Sequence, residues 1–287
     1  MHRYLIPLVA LGVLVGGCFD DTTGPPRDVY PPAAPQGLYR VNGDEQVTLY
    51  WYPNTEPDLL GYRIYDAPCA SGSSCPYTQI GALDATSGSQ VVSYVVHGLV
   101  NGQPRYYAVA AVDRAGNEGD LSYEDVRATP RPAGAGAAIA SFLVSPGTAG
   151  WDFSAYGTPY AVRSYDNPAT DMFYGYYEDS LGYQYHQVFV PYGTDIQDAG
   201  YATTMDAIGY APDGGWAPSG TVETIPGHVY IVWTADNHFA KFRVNSAGPG
   251  NMTFDWAYQT DLGNPELGAK RAHVEGAGPR PIVWLRK

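Results

Sequence analysis

Residues 105–119 read Arg105-Tyr106-Tyr107-Ala108-Val109-Ala110-Ala111-Val112-Asp113-Arg114-Ala115-Gly116-Asn117-Glu118-Gly119, and this stretch decides the fold class. Tyr107, Val109 and Ala111 alternate with Tyr106, Ala108 and Ala110, the two-residue period of a strand. Asp113, Asn117 and the glycines around them are turn residues. Working outward, the pattern repeats. Gln46-Val47-Thr48-Leu49-Tyr50-Trp51 alternates, and Pro53 to Asp58 breaks it. Gly61 to Tyr65, Tyr77 to Leu83 and Val91 to Val96 follow, so roughly seven short strands fall within about 100 residues, as in a two-sheet sandwich. The chain holds 25 Tyr, 34 Gly and 24 Pro, which favours strands and turns. No helical period extends beyond two turns, so the expected class is all-β.

Ala34-Pro35-Gln36-Gly37-Leu38, Trp51, Asp58-Leu59-Leu60-Gly61-Tyr62-Arg63-Ile64-Tyr65, Ala110 to Gly119 and the exit Ala128-Thr129-Pro130 together resemble a bacterial fibronectin type III domain spanning 34–130. The resemblance implies an immunoglobulin-like sandwich that acts as a spacer or as a protein- or glycan-binding module. Counted from Leu99, the family's tyrosine-corner position falls on Arg105, with Tyr106 beside it. The corner is therefore shifted by one residue or missing. Residues 131–137 read as a linker.

A second antiparallel β-rich domain is expected over 138–270. Val229-Tyr230-Ile231-Val232-Trp233-Thr234 turns through Ala235-Asp236-Asn237 into His238 to Val244. Period two puts Ile231 and Trp233 on one face and Tyr230, Val232 and Thr234 on the other. Lys241 and Arg243 share the return strand's polar face. Thr253 to Gln259 adds a strand with Phe254, Trp256 and Tyr258 together. The run Tyr230 to Gln259, with Gly150-Trp151-Asp152-Phe153, resembles the HmuY-like family of secreted β-rich lipoproteins.

That resemblance implies capture of haem or another small ligand, but it does not identify axial positions here. Two neutral imidazoles facing each other across an apolar slot would hold haem iron. His186 and His238, both among aromatic residues, are the candidates, with Tyr185, Trp233 and Trp216 as ligand contacts. The plainer reading makes both histidines surface residues of tyrosine-rich strands. His228, after Pro226-Gly227, reads as a strand-entry residue, and His97 lies in the first domain. No cofactor is certain from the sequence.

Two acidic groupings offer other chemistry. Asp113, Asn117 and Asp120 supply oxygen atoms suited to Ca²⁺ or simply to a turn. Asp166, Asp171, Glu178 and Asp179 surround Tyr165, Tyr174, Tyr176 and Tyr177, so they suit sugar binding or, as a carboxylate pair, glycoside hydrolysis. No Gly-x-Ser-x-Gly, His-Glu-x-x-His or phosphate-loop element occurs, and a non-catalytic module is expected. A structural or adhesive surface protein is the alternative to a ligand-binding one.

The N-terminus sets the expected location. Met1-His2-Arg3 precedes an apolar run from Tyr4 to Gly17, too short to span a bilayer. Val15-Gly16-Gly17-Cys18 resembles a bacterial lipobox, making 1–17 a signal peptide and Cys18 the lipidated residue. Residues 18–33 would form a tether. A cell-envelope location follows, with the outer membrane or cell surface preferred to the inner membrane. In that compartment Cys69 and Cys75 are expected to form a disulfide. A net charge of −13 argues against nucleic acid as a partner and leaves a small ligand, a glycan or a surface protein. Residues 271–287 form a tail that either docks as an edge strand or stays loose.

Overall fold

The computed structural model describes residues 27–69, 75–86, 88–123 and 126–268. The proposed lipidation site Cys18 and the tail 271–287 lie outside the described residues. Among those described, no helix is long and apolar enough to cross a membrane.

The first domain contains β1 (Gln36–Asn42), β2 (Gln46–Tyr52), β3 (Leu59–Ala67), β4 (Thr78–Asp84), β5 (Val92–His97), β6 (Arg105–Asp113), β7 (Glu118–Leu121) and β8 (Val126–Ala128). Strands β1-β2-β5 form one antiparallel sheet. The other runs β4-β3-β6, with β7 and β8 following each other along the far edge of β6. This order gives the expected fibronectin type III-like sandwich. Alternation along β2 buries Val47, Leu49 and Trp51. Trp51 meets Tyr62 of the opposite sheet edge to face, with ring centroids 5.2 Å apart. At the anticipated tyrosine corner, Arg105 is paired with Asp66 and Tyr107 is the fully buried ring. Cys69 and Cys75 form the expected disulfide, closing the β3–β4 connection.

The second domain contains β9 (Ala133–Ala140), β10 (Gly150–Trp151), β11 (Val162–Arg163), β12 (Met172–Glu178), β13 (Gln184–Phe189), β14 (Asp195–Tyr201), β15 (Thr221–Glu223), β16 (His228–Trp233), β17 (Phe239–Ala247) and β18 (Asn251–Gln259). They form two five-stranded antiparallel sheets, β11-β10-β12-β13-β15 and β14-β16-β17-β18-β9. Trp151, Met172, Tyr174 and Val188 meet Tyr230, Val232, Phe242, Phe254 and Trp256 in the core between them.

The expected linker 131–137 needs correction, because β9 begins at Ala133 and pairs along β18. Its Gly/Ala composition suggests a linker, yet the small residues serve packing. A Cβ on Gly134 would lie 2.6 Å from Trp256 Nε1.

Charged groups hold the domains together. Arg40 on β1 is wholly buried. Its Nε donates to Arg127 O in its own domain at 2.8 Å, and its Nη1 donates to Gly268 O across the junction at 2.6 Å. Its Nη2 forms an ion pair with Glu266 at 2.6 Å. Lys241, read as polar-face, is also fully buried, and its Nζ donates to the carbonyls of Met205 and Ile208. Burial pushes its pKa well below the usual lysine value, and nearby Arg131 acts in the same direction.

Removing Arg40 would leave Glu266 without its closest cation. Arg40→Ala should cost about 3–5 kcal/mol. Arg127→Ala, at a more exposed pair, should cost about 1 kcal/mol or less. Urea denaturation of both variants checks this, and equal losses would refute the assigned role of Arg40.

Candidate functional site: an outward aromatic face on the second domain

Strands β12 and β13 pair with Phe173 opposite Phe189, Gly175 opposite Gln187 and Tyr177 opposite Tyr185. Met172, Tyr174 and Val188 point into the core, so the period of two turns those three pairs outward. Phe173 and Phe189 stack at 5.1 Å, and Tyr177 and Tyr185 at 4.8 Å. Phe142 meets both phenylalanines edge-on at 5.9 Å, with Tyr165 5.4 Å away. Gly175 allows this approach, since a Cβ there would lie 2.5 Å from the Phe142 ring.

The four-ring cluster is partly buried, whereas Tyr177 and Tyr185 are each 36% exposed. Polar groups surround the exposed pair. The Tyr177 hydroxyl donates to Gln187 Oε1 at 3.2 Å, and the Tyr185 hydroxyl donates to Asp179 Oδ2 at 3.1 Å. Asp179 also accepts the backbone N–H groups of Leu181 and Tyr183. Partial burial pushes its pKa upward, but these hydrogen bonds outweigh it and hold the carboxyl below its usual range. Glu223 on β15 lies opposite Gln187 and extends the acceptor-rich strip. The face therefore combines apolar rings with an anionic, hydrogen-bonding rim.

The other predicted contacts lie elsewhere. His186 follows Tyr185 in sequence but points to the other side of its sheet. Its Nδ1 is 2.7 Å from the Tyr174 hydroxyl, which donates to Gly248 O at 2.8 Å. Because that hydroxyl has only one proton, His186 Nδ1–H must be the donor if both bonds form. His238 sits at the β16–β17 turn, 3.3 Å from Asp236, with its ring 5.4 Å from Tyr258. Gly248 and His238 lie beyond opposite ends of the nine-residue β17, a separation of about 30 Å. The structure thus corrects the expected histidine pair, because His186 and His238 cannot face one iron. Trp233 and Trp216 pack at 6.0 Å on the outer face of the other sheet, in a cluster with Ile231, Phe239 and Leu267.

The carboxylates also divide. Glu178 and Asp179 flank the aromatic face, while Asp171 joins Asp152 and Asp236 near Tyr258. In the first domain, Asp113 accepts both N–H groups of Asn117. Asp28 and Asp58, and not the anticipated Asp120, bring their oxygens within 4.8 Å of Asp113 and of each other.

No family model matches the chain. A 110-residue stretch is 34% identical to an amylopullulanase of Thermoanaerobacter thermohydrosulfuricus; it covers 38% of this chain and 7% of that protein. A fibronectin-type-III-like protein from Clostridium thermocellum is 28% identical over 34% of this chain and 92% of its own, with a TM-score of 0.26. A DUF4466 family protein from Parabacteroides merdae is 13% identical over 81% of this chain and 96% of its own, with a TM-score of 0.36. The strand order described above carries the fibronectin type III-like assignment.

Burial raises the Asp171 carboxyl to about 7; the Phe153 N–H and Arg163 oppose the rise, while Asp152 and Asp236 add to it. The folded protein therefore keeps this proton to higher pH than the unfolded chain. The associated stability is complete below about pH 4 and declines as pH rises through 7, by at most about 1.4 kcal/mol per unit. Asp171→Asn should remove this component. Urea midpoints measured from pH 4 to 8 check it, and parallel wild-type and variant curves would contradict it.

Proposed function

We propose that the protein is a lipid-anchored cell-surface binding module that holds a neutral glycan on the Tyr177–Tyr185 face, with its fibronectin type III-like domain as spacer. The observation carrying this reading is an exposed stacked tyrosine pair bordered by Gln187 and Asp179. Sugar C–H faces pack on aromatic rings, while their hydroxyls bond to carboxylates and amides. The chain's charge of −13 favours uncharged sugars over acidic ones. The likeness of one stretch to an amylopullulanase supports an α-glucan as the first probe. This reading includes no catalytic role.

Haem capture, implied by the HmuY-like resemblance, is the second reading and would use one histidine. His186 favours it in one respect: its Nδ1–H bond to Tyr174 leaves Nε2 as the ring's acceptor. Cys18 would anchor either kind of module in the cell envelope.

Affinity electrophoresis of the mature protein through gels containing pullulan, starch or xylan tests the glycan proposal. Retardation by at least one polymer is expected. Tyr177→Ala and Tyr185→Ala should each weaken it roughly tenfold, about 1.4 kcal/mol, while the lost ring pair lowers folding stability by only about 1–2 kcal/mol, leaving the domain folded. Unretarded wild type, or variants that bind equally well, would remove the reading. A saturable Soret band abolished by His186→Ala would put the haem reading in its place.

A further inference from the structure

A groove of about 510 Å³ lies where the domains meet, within the roughly 300–1,000 Å³ range of small-molecule sites. Its walls include Asn42 and Tyr50 from the first domain, Arg131 at the connection, and Asp206, Arg243 and Asp255 from the second. Asn42 is 1% exposed, and neither its Oδ1 nor its Nδ2 has a hydrogen-bond partner. Arg131 is 2% exposed and its Nε is likewise unpartnered. Its nearest carboxylate is Asp206, 3.8 Å away and largely exposed.

A buried amide without partners is costly to a fold, and such groups are rare. Here two residues with that defect line one groove between domains. Asn42 offers a donor and an acceptor, Arg131 a donor, and Asp206 and Asp255 further acceptors. Tyr50 supplies an aromatic wall. Carboxylates along the groove oppose an anion, and the guanidinium groups of Arg131 and Arg243 oppose a cation. We infer that this junction is a second binding site, for one neutral polyhydroxylated ring such as a monosaccharide unit, with Asn42 and Arg131 completing their hydrogen bonds on its hydroxyls. It shares no residue with the Tyr177–Tyr185 face and does not depend on that reading.

The test is an NMR titration of the ¹⁵N-labelled mature protein with glucose, galactose, mannose and N-acetylglucosamine, and separately with inorganic phosphate. At least one sugar should produce saturable shifts of the Asn42 side-chain amide and Arg131 Nε–H signals. Asn42→Leu should abolish the response while keeping or raising the thermal midpoint, because it deletes an unsatisfied buried amide. Asp206→Asn should weaken binding several-fold; because Asp206 also faces the buried Arg131 and Lys241, the variant is titrated where its circular dichroism matches that of the wild type. The tyrosine-face variants should respond as wild type does. No shift with any sugar, or a response to phosphate alone, would overturn the site. If Asn42→Leu proves unstable, undiminished binding by Asp206→Asn would overturn it as well.

Discussion

Arg40 holds a permanent charge in a place that water does not reach, and the relation between the two domains follows from how that charge is satisfied. Desolvating a guanidinium costs several kcal/mol unless its hydrogens find acceptors. One acceptor, Arg127 O, belongs to its own domain, while Gly268 O and Glu266 come from the other. Lys241 is buried within the second domain alone, beneath the carbonyls of Met205 and Ile208. The outer face of the β14–β9 sheet borders the first domain at Arg243 and Asp255, and the buried Arg40 makes separating the domains expensive.

That division leaves the opposite sheet to face outward. Strands β12 and β13 send one set of aromatic residues into the core and another to the surface, since successive side chains leave a strand on opposite sides. Phe142 settles over Gly175 and steadies the inner part of the outward face. Tyr177 and Tyr185 extend beyond that cover and meet acceptors instead of further rings. The change from ring cluster to polar rim along one pair of strands is the feature on which the proposed glycan reading rests.

The same packing explains the fate of the histidines. His186 and Tyr185 are neighbours in sequence but occupy opposite sides of their sheet. His186 is tied through Tyr174 to the turn at one end of β17, and His238 lies past the other end. The chemistry of each histidine was visible in the sequence, while the distance between them depended on which end of a long hairpin each occupied. The interdomain groove was less visible still. Asn42 and Arg131 are 89 positions apart, and no local motif joins them.

Alternation alone determined the all-β class, the first domain's strands and the sides taken by Ile231, Trp233, Phe254 and Trp256, because period two depends only on neighbouring residues. Cysteine spacing and the expected secretory context were enough to anticipate Cys69–Cys75. Local pattern could not say that Ala133 to Ala140 was a strand, because small residues resemble a linker until Trp256 is seen packed over Gly134. Nor could it show that Lys241, on a nominally polar face, would be buried beneath the carbonyls of Met205 and Ile208. Those outcomes were decided by tertiary structure, which alone determines what covers each face of a sheet.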